Sequence, residues 1–401
     1  MKIMKSQNLK SCLLIASLSL FACKTDDSTP IPTVATPTFG ITPGTYLVAQ
    51  NISISTTTTG ASIYFTTDGS EPTASSTLYT TPLHIYQVAG VIKAIAIKSG
   101  ENNSAILSGV FSFPPLRTGQ TSSSAAGDDP NHTAKGVARS YTDNGDGTVT
   151  DNATGLLWQK CSVGLSGTSC ATGGATTVTF ANASSQCTSL ALAGKTWRLP
   201  TINELRTLTD FGAANPSINT TIFPGSVPGS YWSADAMDTS NAYTVGFLDA
   251  TSYGLSKTGN NYVRCVSGSK KSIALHYVDN GDETVTDNVT GLTWQKCSSS
   301  TSGSNCATGS VTQYTWLTAL NYCANLTLAG KTWRLPNANE LASLADLKTN
   351  GISLTHFPGT PFSAYWTSTS QSGTANAFEI VNNIGGAVKN SGSPVRCVTG
   401  P

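Results

Sequence analysis

Ala193-Gly194-Lys195-Thr196-Trp197-Arg198-Leu199-Pro200 occurs twice in this chain: Ala329 to Pro336 repeat it letter for letter. Each copy runs into a helix-start signal. Thr201 is followed three positions later by Glu204, and Asn337 by Glu340. That spacing makes a capping box, in which the cap side chain takes an orphan N–H and the Glu reaches back to the cap's own N–H. Leu205 and Leu208 then share one face of a short helix, as do Leu341 and Leu344.

The duplication extends outward from there. Tyr141-Thr142-Asp143-Asn144-Gly145-Asp146-Gly147-Thr148 is matched by Tyr277-Val278-Asp279-Asn280-Gly281-Asp282-Glu283-Thr284. Both continue through Asp151 or Asp287 to Trp158 or Trp294, and read as strand, tight turn, strand. A helix is expected next. Phe180, Ala183, Cys187 and Leu190 fall on one face, matched by Trp316, Ala319, Cys323 and Leu326. After the capped helix come Phe223-Pro224 and Tyr231-Trp232-Ser233, paired with Phe357-Pro358 and Tyr365-Trp366-Thr367. Alternating strands lead to Val263-Arg264-Cys265-Val266 and Val395-Arg396-Cys397-Val398. The repeats therefore span 139–268 and 275–400.

Cysteine is distributed by the same plan. Beyond Cys12 and Cys23 there are four per repeat: Cys161, Cys170, Cys187 and Cys265, then Cys297, Cys306, Cys323 and Cys397. An even, repeated set in an exported chain reads as disulfides. Three connectivities are open in each repeat. One of them joins Cys187 to Cys265, stapling the first helix to the last strand, and leaves Cys161 with Cys170 in a small local loop. Metal ligation is disfavoured, because no pair has the usual two-to-four-residue ligand spacing.

Export is indicated at the start of the chain. Lys2, Lys5 and Lys10 form a basic region ahead of the apolar run Cys12 to Phe21, which is too short to span a bilayer. Leu20-Phe21-Ala22-Cys23 resembles the lipobox of bacterial lipoproteins. The resemblance implies removal of residues 1–22 and lipidation of Cys23, anchoring the chain in the bacterial envelope, with the outer membrane and the cell surface as the expected location. Two or three acyl chains suffice for stable anchoring, at roughly 0.8 kcal/mol per buried methylene. Residues 23–36 then form a tether.

Composition narrows the function classes. Only 11% of the 401 residues are charged, and the net charge is +1. No basic excess points to nucleic acid. Residues 37–113 contain the strand-like runs Ile52–Ser55, Ser62–Phe65, Leu83–Tyr86, Val91–Ile97 and Ala105–Phe113, the pattern of a small β-sandwich. Residues 114–138, rich in Pro, Gly and Ser, read as a linker.

Two resemblances refine this layout. Ile63-Tyr64-Phe65-Thr66-Thr67-Asp68-Gly69-Ser70-Glu71-Pro72-Thr73, with Leu78-Tyr79-Thr80 after it, resembles the chitobiase/β-hexosaminidase C-terminal domain family. The resemblance implies an immunoglobulin-like accessory unit, a spacer or a binding unit, without hydrolase activity. Asp68-Gly69 is read as its hairpin turn. The order DNGDGTVTDNATGLLWQK, WRLPTINEL, FP, YWS, VRCV resembles the C-terminal-domain family of the Legionella collagen-like adhesin, over both repeats. This implies two α+β modules of C-type-lectin-like fold. It also implies adhesion to a glycan or extracellular-matrix ligand, with tandem modules giving avidity. That adhesin binds sulfated glycosaminoglycans, which calls for basic clusters. Here Lys270 and Lys271 stand together and the other basic residues are scattered.

Four sets of residues are candidates for chemistry. Asp143, Asp146, Asp279 and Asp282 suit a calcium loop, but Gly145 and Gly281 interrupt the alternation of acids and a hairpin turn explains Asn-Gly-Asp without any ion, so the turn is preferred. Arg198 with Glu204, and Arg334 with Glu340, read either as a catalytic base beside an Arg or as an ion pair fixing the short helix, the latter being preferred. The four histidines, His84, His132, His276 and His356, occupy no equivalent positions in the two repeats, so no nucleophile–base pair is indicated. Tyr231, Trp232, Tyr365 and Trp366 lie where a sugar-stacking aromatic would sit, or are buried. The expectation is a non-catalytic, adhesin-like surface lipoprotein, with a structural or protein-binding envelope lipoprotein without glycan ligand as the alternative and an enzyme of unknown chemistry as a third reading.

Overall fold

The computed structural model describes residues 30–132, 134–268, 276–346, 351–371, 374–380 and 384–401. Residues 1–22, Cys23 and the Lys270–Lys271 pair lie outside them. Among the described residues no helix is long and apolar enough to cross a membrane.

The N-terminal unit is built on a five-stranded sheet, ordered Gly44–Thr45, Leu107–Ser112, Gly90–Ile97, Ser62–Thr66, Thr77–Leu78. Short pairs, Thr38–Phe39 with Ile54–Ser55 and Asn51–Ile52 with Leu83–His84, lie apart from that sheet. Alternation in Gly90–Ile97 buries Ile92 and Ala94 fully. Two expectations are corrected here. The run Leu83–Tyr86 is a strand only to His84; the chain then enters helix α1, Ile85–Val88. Consecutive Ile85 and Tyr86 are both buried, which a helical turn allows and an alternating strand does not. Asp68-Gly69 is not a two-residue hairpin loop either. It is a local turn, with Asp68 accepting from the Ser70 N–H at 3.0 Å, inside the longer loop 67–76.

Both repeats follow one scheme. In the first, a sheet is ordered Tyr141–Asp143, Thr148–Asp151, Leu157–Gln159, Val266–Ser267, Trp197–Arg198. A second sheet is ordered Thr177–Val178, Asn261–Tyr262, Ser230–Ala236, Asn241–Gly246, Thr251–Ser256. Helices α2, Phe180–Thr188, and α3, Ile202–Arg206, flank them. The second repeat has Tyr277–Asp279, Thr284–Asp287, Thr293–Gln295 and Val398–Thr399 in one sheet, and Tyr365–Ser370, Asn376–Ile380 and Ile384–Val388 in another. Its helices are α4, Trp316–Ala324, and α5, Ala338–Ser343. The first hairpins keep identical register, Tyr141 opposite Asp151 and Tyr277 opposite Asp287. Trp158 and Trp294, at 0% exposure, centre the two cores.

The disulfides are Cys161–Cys170, Cys187–Cys265, Cys297–Cys306 and Cys323–Cys397. Each long bridge ties α2 or α4 to the chain entering the last strand.

Residues 114–138 are not a loose linker. Leu116 and Val137 are buried and bridge each other. Gln120 donates to Ser370 and accepts its N–H at 3.1 Å, and Asp129 accepts from Thr118 and Thr369 at 2.6 and 2.8 Å. The low apolar content hid this, because the segment docks mainly through polar groups that are satisfied on arrival. The repeats also touch directly: the Phe211 and Phe378 rings meet edge to face at 4.9 Å.

Candidate functional site

The duplicated TWRLP stretch forms a lock in each repeat. Arg198 clasps Glu204 with two hydrogen bonds of 2.7 Å, and Thr201 and Glu204 exchange the capping-box bonds. Arg334 clasps Glu340 at 2.6 and 2.5 Å, with Asn337 as the cap. Trp197 and Trp333 donate their indole N–H to Leu192 and Leu328 carbonyls, closing the loop before the strand. Both oxygens of each Glu are engaged and both carboxylates are buried. The arrangement fixes a helix to a sheet.

The aspartate turns are equally occupied. Asp143 accepts from Lys160 at 2.6 Å and from the Gly145 N–H at 3.1 Å; Asp279 does the same with Lys296 and Gly281. Asp146 and Asp282 each accept from the hydroxyl and N–H of the Thr two residues on. The lysine hydrogen bond holds the carboxyls of Asp143 and Asp279 below the usual range. A calcium loop needs several oxygens converging on one point, whereas here an ammonium holds the carboxylate. Among the described residues no group of three or more His, Cys, Asp or Glu could hold a metal ion. Asp151 and Asp287 are buried turn-formers rather than ligands.

Tyr231, Trp232, Tyr365 and Trp366 are all at 0–1% exposure, which corrects their reading as ligand contacts. The central strands that carry them are covered on both faces. The phenols meet Ser162 and Ser298, and the indoles donate to the Val178 and Tyr314 carbonyls at 2.8 and 2.7 Å.

Sequence reasoning missed two groups. Arg264 and Arg396 are fully buried and, among the described residues, form no ion pair. Each guanidinium instead donates to two backbone carbonyls, Gln159 and Lys160 or Gln295 and Lys296, and to hydroxyls. Each also lies over a ring, Phe223 at 5.0 Å or Phe357 at 4.8 Å. Burial pushes both guanidinium pKa values down. The only sequence signal was their identical setting beside a cysteine.

The second missed group is an exposed one. A shallow depression of about 420 Å³ lies along α4, lined by Tyr314, Thr318, Asn321, Tyr322 and Asn325. The last four are spaced as one helical stripe. The two rings stand 5.0 Å apart, tilted by 40°. Their hydroxyls are tied inward: Tyr314 to Ser300 at 3.2 Å, and Tyr322 to the Gln295 amide at 3.1 Å. Both tyrosines are half-buried and Asn321 and Asn325 are exposed, the Asn325 amide donating to the Asn321 carbonyl at 2.8 Å. Repeat one carries Val178, Asn182, Ser185, Gln186 and Ser189 at the matching positions.

Buried locks and disulfide staples repeated on one scheme define the class: a tandem-module, disulfide-stapled, β-rich protein. The Lcl C-terminal domain family matches residues 147–267 and again 283–399, so the chain belongs to that family. The chitobiase/beta-hexosaminidase C-terminal domain matches residues 41–108. No curated protein and no solved structure matches the chain.

Proposed function

We propose that this chain is an adhesin-like bacterial lipoprotein, anchored at Cys23 and displayed at the cell surface. It binds a glycan or host-matrix ligand through its repeats and catalyses no reaction. The observation that carries this is the tandem Lcl C-terminal domain, which occupies more than half of the chain. An N-terminal domain of a type found as an accessory unit beside carbohydrate-active enzymes agrees with it. In this reading each repeat is a C-type-lectin-like module. Support comes from the helix stapled by disulfide to the segment entering the last strand, and from that strand pairing with Leu157–Gln159 or Thr293–Gln295 near the module's start. The repeated Glu–Arg pairs favour binding over catalysis, since their carboxylates are held by guanidinium and cap bonds in both copies.

The test is binding of the full mature chain, soluble through Cys23→Ser, to a glycan array and to matrix proteins, with calcium and with chelator. Saturable binding to a defined ligand is expected, unchanged in chelator. A disulfide-intact, cooperatively melting chain that binds nothing would sink the adhesin reading. Anchoring is read separately, by palmitate labelling that Cys23→Ala abolishes.

A further inference from the structure

We propose that the α4 face of repeat two is a saccharide-stacking site for a neutral, unsulfated pyranose, and that repeat one has no counterpart. The proposal rests on the glycan reading above and assigns it a place.

A comparison of the two repeats within the same chain carries the argument. On the buried side of the helix they agree: Ala183 and Ala319, and Cys187 and Cys323, are all at 0% exposure. On the outer side, half-buried Tyr314 and Tyr322 and exposed Thr318, Asn321 and Asn325 replace Val178, Gln186, Asn182, Ser185 and Ser189. The scaffold beneath is the same, since Trp366 and Trp232 donate to the carbonyls of Tyr314 and Val178. Both tyrosines pack against the core of repeat two, yet repeat one closes over the same scaffold with Val178 and Gln186.

Ser300 adds a second, independent indication. It holds φ +66° where repeat one has Gly164 at φ +92°. A non-glycine residue in that region carries roughly 1–2 kcal/mol of strain. What Ser300 supplies in return is attachment: its hydroxyl meets the Tyr314 phenol at 3.2 Å and its N–H lies 3.4 Å from the Tyr322 phenol. Gln295 completes the clamp, taking the Cys397 N–H on its oxygen and giving its N–H to Tyr322. The rings are thus fixed from behind before any ligand arrives, which lowers the ordering entropy of binding.

The chemistry names the ligand. Ring flanks offer apolar area to the C–H face of a pyranose, and the Asn321 amide with the Asn325 side-chain carbonyl offers a donor and acceptors to its hydroxyl edges. No Lys, Arg, Asp or Glu lines the depression, so a sulfated or carboxylated sugar finds no counter-charge. The volume suits one or two sugar rings.

The experiment titrates the full mature chain with N-acetylglucosamine tetraose, cellotetraose, mannotetraose and galactotetraose, alongside heparin and a proline-rich collagen peptide. Tyr322→Gln and Tyr314→Val install the residues that repeat one already carries on this scaffold. Asn321→Ser with Asn325→Ser repeats the test without touching the rings. A neutral tetraose is expected to bind, with about tenfold or greater loss in each tyrosine variant, equivalent to about 1.4 kcal/mol. Equal binding by wild type and all variants overturns the site while leaving the glycan reading standing. Binding of heparin or the peptide in place of any neutral sugar overturns the ligand. No binding to any of these, nor to the glycan array, removes both.

Discussion

At the scale of single residues, burial decides which charges matter. Glu340 is at 1% exposure and holds an Arg334 that is itself at 8%. Removing its charge leaves a guanidinium in a low-dielectric site with half its partners gone, a situation that costs about 3–5 kcal/mol. Glu340→Gln should therefore lower the urea midpoint sharply. Asp143 makes an equally short bond to Lys160, but its carboxylate side chain is 40% exposed. Its lysine is only 9% exposed, so the pair is half-buried and should contribute more than the roughly 0–1 kcal/mol of a fully exposed pair but less than the Glu340 lock. Asp143→Asn, which keeps a solvated oxygen facing the lysine, should shift the midpoint clearly less than Glu340→Gln, and equal effects from the two variants in matched urea titrations would refute the burial argument. Added calcium should not protect either protein in those titrations, because the aspartate turns are already occupied by lysine, hydroxyl and backbone donors.

At the scale of elements, the two disulfide types should differ. Cys323–Cys397 has a separation of 74 residues and Cys297–Cys306 one of 9. In the chain-entropy account these loops are worth about 4.5 and about 2.7 kcal/mol. Cys323→Ser with Cys397→Ser should lower the melting temperature more than Cys297→Ser with Cys306→Ser. It should also loosen α4, read as faster amide exchange at Tyr322 and Cys323. The elements legible in the sequence were those with local signatures. The capping boxes at Thr201 and Asn337, the Asn-Gly-Asp hairpins and the apolar stripe through Ala183 and Cys187 are set by residues within one or two turns of each other. What stayed hidden is non-local. Nothing near Arg264 says that its fork will meet the carbonyls of Gln159 and Lys160. Nothing in Tyr-Trp-Ser says that both faces of its strand are covered. The α4 surface was hidden for another reason: Tyr322 and Asn325 lie on the outer stripe, while the apolar periodicity reports only the buried one.

At the scale of the whole molecule, the segment 114–138 decides whether the three units behave as one. It is held against repeat two largely by polar contacts, Gln120 to Ser370, Asp129 to Thr369 and Asn339 to the Leu116 carbonyl. Asp129 is the acid among them. Burial raises its pKa from 3.8 to about 6, partly offset by hydrogen bonds from Thr118 and Thr369, with Glu340 raising it further and Arg334 lowering it. A folded pKa above the unfolded one means that this group's stabilisation is fully present below about pH 3.8. It is lost as the pH rises through about 6. The difference of about two units corresponds to about 3 kcal/mol at most. Other groups titrate over the same range: burial pushes half-buried His132 down, and the lysine-bonded Asp143 and Asp279 oppose Asp129 in sign. The variant difference therefore isolates the effect. Asp129→Asn keeps a carbonyl acceptor for both threonines and removes the ionisation. It should melt like wild type near pH 4 and several degrees higher at pH 7.5, with the gain appearing between pH 4.5 and 7. A variant less stable than wild type at pH 7.5 would mean that the carboxylate is needed charged, and that the segment docks by ion pairing with Arg334 instead.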